Sequence, residues 1–180
     1  MANVTAYSLA GAFTSVLVGA GLGMGGALAL PEGSWRFGAP ILLALAAVMV
    51  ARELGWISFR LPQPRRQTRD VWARFLDPTV TATLWGLDLG LFFTTQFTFS
   101  GMWLLALLPV LARDAALGGA LFLAYWLGRA VSVWVTPLLL ESPAGTPLLL
   151  DELSSQHRLF QLVHVAGLGS VVAFLIASLT

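Results

Sequence analysis

Five stretches of this sequence, residues 4–30, 39–58, 79–112, 115–140 and 159–180, are apolar runs broken by few charges. A helix needs about 20 consecutive apolar residues to cross the hydrocarbon of a bilayer, and every run reaches that length. Within lipid each backbone N–H and C=O must be satisfied inside the protein, so such runs fold as helices. The sequence therefore predicts an all-α, polytopic membrane bundle occupying residues 1–180 as one domain, with about five transmembrane elements. The expected environment is the lipid bilayer.

Charged residues make up 11% of the chain, against about 25% in a soluble domain. The net charge of +1 provides no field for a polyanion, so no nucleic acid is expected as partner. There is no cysteine, which rules out disulfides, thiol redox chemistry and thiolate metal sites carried by the chain itself. No Ser-His-Asp arrangement, phosphate-cradling loop or metal-ligand cluster is present. The glycines of the first run do not follow a strand–loop–helix dinucleotide pattern. Neither catalytic residues nor a metal or cofactor are expected, and the chain does not read as an enzyme. All ten basic residues are arginine, a mark of a GC-rich genome, and the expected location is a bacterial cytoplasmic membrane.

The first run reads as a retained helix, because residues 2–13 lack the positive charge of a signal peptide. In it Gly19/Gly23 and Gly21/Gly25 have the four-residue spacing that lets helices pack closely in lipid. The second run ends in Trp56 and Phe59, aromatic residues suited to an interface. A loop with Arg60, Arg65, Arg66, Arg69 and Arg74 follows, and by the positive-inside rule it faces the cytoplasm. Within it Val71, Trp72, Phe75 and Leu76 share one face of a short surface helix. Asp77-Pro78 then starts the next helix, with Asp77 as N-cap.

A straight helix over 79–112 would be about 51 Å long, too long for about 30 Å of hydrocarbon. Thr94, Thr95, Gln96, Thr98, Ser100 and Gly101 mark the expected break of a single broken span, the alternative being a helix plus a re-entrant half-helix. Residues 147–158 suggest a further short surface helix. Five spans place the N-terminus in the cytoplasm and the C-terminus outside. Arg52, Arg60, Arg65, Arg66, Arg69, Arg74 and Arg158 then lie inside, against Arg36 and Arg113 outside.

Ala10–Leu30, a turn, and Ile41–Leu54 running into Phe59-Arg60-Leu61-Pro62 and a basic loop resemble the CcdA/DsbD family of membrane thiol–disulfide electron transporters. Gly118–Gly128 is similar to that family's fifth helix, and His157–Gly167 to the entry of its sixth. The resemblance implies helices two to six of a fold made of two inverted three-helix repeats. The family's first helix and its cysteine have no counterpart. Where the second cysteine belongs, this chain reads Gly90-Leu-Phe-Phe-Thr-Thr-Gln-Phe97, with neither Pro nor Cys. The resemblance thus implies fold and topology without thiol chemistry, and a partner subunit or second copy filling the gap.

Candidate functional residues are few. Asp88 and Arg129 fall at similar expected depth, where an isolated charge costs about 3 kcal/mol or more, and are expected to pair. Thr94, Thr95, Gln96 and Thr98 form a candidate polar solute site at the break, or satisfy their own helix carbonyls. Gln161 and His164, three apart, read as helix–helix hydrogen-bonding or relay groups. Glu53 beside Arg52, and Asp151-Glu152, read as solvated interface charges. The leading expectation is an accessory or structural membrane subunit that binds another membrane protein. The alternatives are a small solute or ion transporter using the broken helix, and a maturation factor acting through a partner's thiols.

Overall fold

In a computed structural model of the chain, residues 2–62, 71–94, 100–139 and 157–177 are described, the side chains of 136–139, 157, 159, 160 and 174 excepted. They form seven helices: α1 (Ala2–Ala29), α2 (Trp35–Glu53), α3 (Trp72–Phe75), α4 (Pro78–Gly90), α5 (Met102–Ala112), α6 (Ala115–Leu139) and α7 (His157–Ala177). No strand occurs among the described residues. Helices α1, α2 and residues Ala115–Val135 of α6 are long and apolar enough to cross a membrane, while Met102–Ala112 and Gln161–Ala177 are shorter apolar helices.

Helix α1 buries its small residues and exposes its large ones. Gly11, Ser15, Gly19, Gly23 and Gly26 are buried along one face, whereas Leu9, Phe13, Leu17, Met24 and Leu28 are exposed. A soluble helix does the opposite. Lipid solvates the large apolar side chains, and helix association then relies on close backbone approach. A Cβ added at Gly19 would lie 2.1 Å from the Gly118 carbonyl oxygen of α6, and one at Gly26 would lie 2.0 Å from that of Val110 in α5. Of the two glycine pairs singled out in the sequence, Gly19/Gly23 is packed, while Gly21 and Gly25 face open space.

Helix α6 runs antiparallel to α1. Its buried Gly118, Phe122, Trp126 and Ala130 recur every four residues. Gly118 meets Gly19, Trp126 covers Gly11, and the Trp126 indole donates to the Ser8 carbonyl at 2.8 Å. Helix α4 runs parallel to α1: Thr79 bonds Asn3, Gly86 packs on the Tyr7 carbonyl, and Ser15 donates to the Gly90 carbonyl at 3.2 Å. Helix α5 continues along the second half of α1, where Arg113 donates to the Ala27 carbonyl at 3.1 Å. The segment 79–112 is therefore interrupted, with its two helices following one another along α1. They are about 20 and 17 Å long, so neither crosses the hydrocarbon alone.

Helices α2 and α7 pack on the other side of α5. Ala39, Leu42, Ala46 and Met49 form a buried stripe against Leu104, Leu108, Leu168 and Leu175. Local capping follows the chemistry of the chain. Asp77 Oδ1 accepts from the Thr79 amide at 2.8 Å with Pro78 in the first turn, and Asp114 Oδ1 accepts from the Leu117 amide at 3.0 Å. Two sequence expectations need correction. The second helix covers 35–53 and not 39–58, since Gly55 adopts a left-handed φ of 79° and the chain turns off. The surface helix of the basic loop is a single turn, Trp72–Phe75. The expected helix over 147–158 falls mostly outside the described residues.

Gly19→Leu should destabilise the bundle by about 3 kcal/mol, because the clash is with backbone that cannot move aside. Gly21→Leu should be neutral or slightly stabilising. Thermal unfolding of both variants in mild detergent reads the difference, and equal loss at both positions would contradict this packing.

Candidate polar site at the helix break

Interrupting a helix inside a bundle frees carbonyls at the end of its first half and amides at the start of its second. Each needs a partner where water is scarce. On the α4 side, Ser15 serves the Gly90 carbonyl, and Thr94 Oγ1 donates to the Asp88 carbonyl at 2.5 Å. The chain leaves α4 through Phe92, whose φ of 65° places a non-glycine residue in the left-handed region. Such a conformation costs of order 1–3 kcal/mol and persists where the surroundings impose it. Here Phe92 is buried edge-on against Phe122, their ring centroids 5.3 Å apart.

On the α5 side, two amides at the helix start are met by side chains of α2 and α7. The Ser100 N–H donates to Glu53 Oε1 at 3.1 Å, and the Gly101 N–H donates to His164 Nε2 at 3.3 Å. The same Glu53 oxygen accepts from Arg52 Nη1 at 2.9 Å. Arg52 is itself held by the Phe59 carbonyl at 3.3 Å and lies over the Phe59 ring. Gln161 donates to the Glu53 carbonyl. A carboxylate, an imidazole, a guanidinium and an amide from α2 and α7 thus converge on the N-terminus of α5. The positive end of the α5 dipole favours the carboxylate there. Because His164 Nε2 accepts a hydrogen bond, the neutral ring must carry its proton on Nδ1.

Glu53 corrects the sequence reading. It is not a solvated interface charge but only 9% exposed. The physical reason is register: Ala39, Leu42, Ala46 and Met49 recur at helical spacing, and Glu53 is the next member of that buried stripe. Arg52, one residue off, is 27% exposed and reaches back to the carboxylate. The periodicity that predicts the core of α2 therefore carried the signal for Glu53. The roles of the Ser100 and Gly101 amides have no signal in residue type.

Of the other candidate residues, Asp88 and Arg129 do not meet as an ion pair. Arg129 Nη1 bonds the Tyr125 hydroxyl at 3.1 Å and also faces Tyr7. Gly86 and Gly90 are the face of α4 that meets α1, and Asp88 is turned about 200° from them at 100° per residue. It is buried on α4, while Arg129 belongs to the side where α6 packs on α1. Among the described residues the ion pair is Arg52–Glu53. Thr95, Gln96 and Thr98, like Arg65, Arg66 and Arg69, lie outside the described residues. Arg60 is exposed, and so is Arg74, which follows Trp72 in the single turn of α3. No group of three metal-ligating side chains occurs among the described residues.

Glu53→Ala should destabilise by about 3 kcal/mol, since it leaves the Ser100 amide and the Arg52 guanidinium without their shared acceptor. Glu53→Gln keeps an oxygen in place and should lose about 1 kcal/mol. Unfolding midpoints in detergent separate the two, and equal small losses would show that Glu53 is solvated after all. No protein-family model, curated protein or solved structure matches the chain.

Proposed function

We propose that this chain is a small transport protein that passes an ion or small polar solute through the bundle at the break between α4 and α5. The observation that carries the reading is the pair of titratable side chains, Glu53 and His164, seated on the free amides at the start of α5. The break is level with Ser15, midway along α1. Ionisable groups within membrane bundles mark ion and proton pathways by default. Discontinuous helices with half-helix termini aimed at the site are the usual construction of secondary transporters. The resemblance to CcdA/DsbD helices supports an inverted-repeat scaffold, and the lack of cysteine turns the reading from electrons to ions or solutes. In this reading α4 and α5 together make one broken span among five. The arginine distribution puts the N-terminus and the loop after α2 in the cytoplasm, in the cytoplasmic membrane of a bacterium.

A second reading, the accessory subunit, is favoured by a different feature. Between α1 and α6 lies an open apolar groove of about 440 Å³ lined by Val16, Ala20, Ala116, Gly119, Ala120 and Leu123. Small residues of this kind admit another helix closely.

Reconstitution decides between the two. Liposomes containing the purified chain should show flux of protons, sodium or potassium, reduced in Glu53→Ala. A chain that conducts none of them, yet extracts in mild detergent as part of a larger assembly, would replace the transporter by the subunit. Topology is tested separately on the cysteine-free background. A cysteine at exposed Trp56 should resist an impermeant thiol reagent applied to intact cells, and labelling from outside would invert the orientation.

A further inference from the structure

We propose that the species handled at this site is the proton, that His164 Nε2 is its binding atom, and that protonation unseats the first turn of α5. The inference rests on the transport reading above and deepens it. The Gly101 N–H and an incoming proton compete for the single lone pair of Nε2. Neutral His164 holds α5 in place, while the imidazolium has no acceptor to offer and releases the amide. Glu53, the carboxylate that faces the ring from α2, then takes the imidazolium as a second cationic partner beside Arg52. Proton binding therefore exchanges one bond for another: Gly101 to His164 is lost, and His164 to Glu53 is gained.

Among the described residues, the charged and polar groups around the ring come from three helices. From α2 come Glu53 and Arg52, joined at 2.9 Å. From α5 come the Ser100 and Gly101 amides and the apolar Leu104 and Leu108. On α7 itself Gln161 is bonded to the Glu53 carbonyl, and Arg158 is exposed. Before protonation the Arg52–Glu53 pair is neutral overall, so the cluster gains one charge with the proton. Other ions fit less well. A transition metal lacks a third carboxylate, imidazole or thiolate ligand among the described residues, and an anion meets the carboxylate, whose arginine is already engaged.

Contact with the glycine sharpens the arrangement. A Cβ at Gly101 would come within 2.7 Å of His164 Cε1, so the ring sits directly on the backbone it controls. His164→Gln is the informative variant. Its amide oxygen can accept the Gly101 N–H at every pH but cannot take up a proton.

The test uses the full chain in liposomes with an internal pH dye, together with ¹⁵N spectra of the histidine ring and the Gly101 amide across pH. The expected result is proton flux in the wild type that falls to the protein-free background in His164→Gln, with thermal stability retained. The Gly101 amide signal should move with the His164 titration and become pH-independent in His164→Gln. Sodium or potassium flux without proton flux, or proton flux unchanged in His164→Gln, would leave transport standing and overturn the proton assignment. A Gly101 amide indifferent to His164 titration would overturn the coupling. Absence of flux for all three ions would remove the transport reading itself, and the proton carrier with it.

Discussion

Close backbone contact along α1 is the constraint on which the rest of the bundle depends. In lipid no hydrophobic force draws apolar helices together, so they are held by dispersion and by short polar backbone contacts that require the axes to approach. Helix α1 achieves this with Gly11, Gly19, Gly23 and Gly26, which accept a tryptophan ring and the carbonyls of Gly118, Asp114 and Val110 where any Cβ would collide. The approach is reciprocal at Gly19 and Gly118, each glycine accommodating the carbonyl of the other. Helices α4, α5 and α6 all use this one helix as their shared support.

That support allows the break. A helix interrupted in the middle of a bundle leaves unsatisfied polar backbone, a larger penalty than most single side chains repay. Here α1 closes part of the gap through Ser15 at the Gly90 carbonyl and holds both halves through Gly86, Gly90 and Val110. The Ser100 and Gly101 amides are carried by α2 and α7, which are otherwise joined to α5 by an apolar stripe. The polar site and the apolar packing are thus two ends of the same helix faces. Glu53 continues the stripe of Leu42 and Met49, and His164 lies one turn from Leu168.

This arrangement explains what could be read from residues alone. Hydrophobic run length was enough for α1, α2, α6 and the interruption of 79–112, because each is set by local composition and the thickness of a bilayer. Asp77-Pro78 was legible because capping is local chemistry. The glycine spacing was legible as a motif, but not which of its two faces is packed: Gly19/Gly23 and Gly21/Gly25 are equivalent in sequence, and only the neighbours distinguish them. The Asp88–Arg129 pairing failed for the same reason. Equal depth says nothing of azimuth, and Arg129 finds tyrosine hydroxyls on its own side of α1. Glu53 was misread because adjacent opposite charges suggest a solvated pair, although its helical phase placed it on the core face.

The chemistry at the break exceeds what backbone satisfaction requires. The Ser100 and Gly101 amides need acceptors, but neutral groups such as the Ser15 and Thr94 hydroxyls do the equivalent work for carbonyls at the end of α4. At the start of α5 the acceptors are instead a carboxylate and an imidazole, accompanied by a partly exposed arginine that reaches back to the carboxylate. An ion pair whose carboxylate is buried is often no more stabilising than apolar side chains of similar volume. Stability alone therefore does not account for the choice of residues at this end. What distinguishes a Glu–His set from a Ser–Thr set is its imidazole, which accepts a hydrogen bond when neutral and loses that acceptor on taking up a proton. The two ends of the break thus divide the work: hydroxyls fix α4, and titratable groups hold α5.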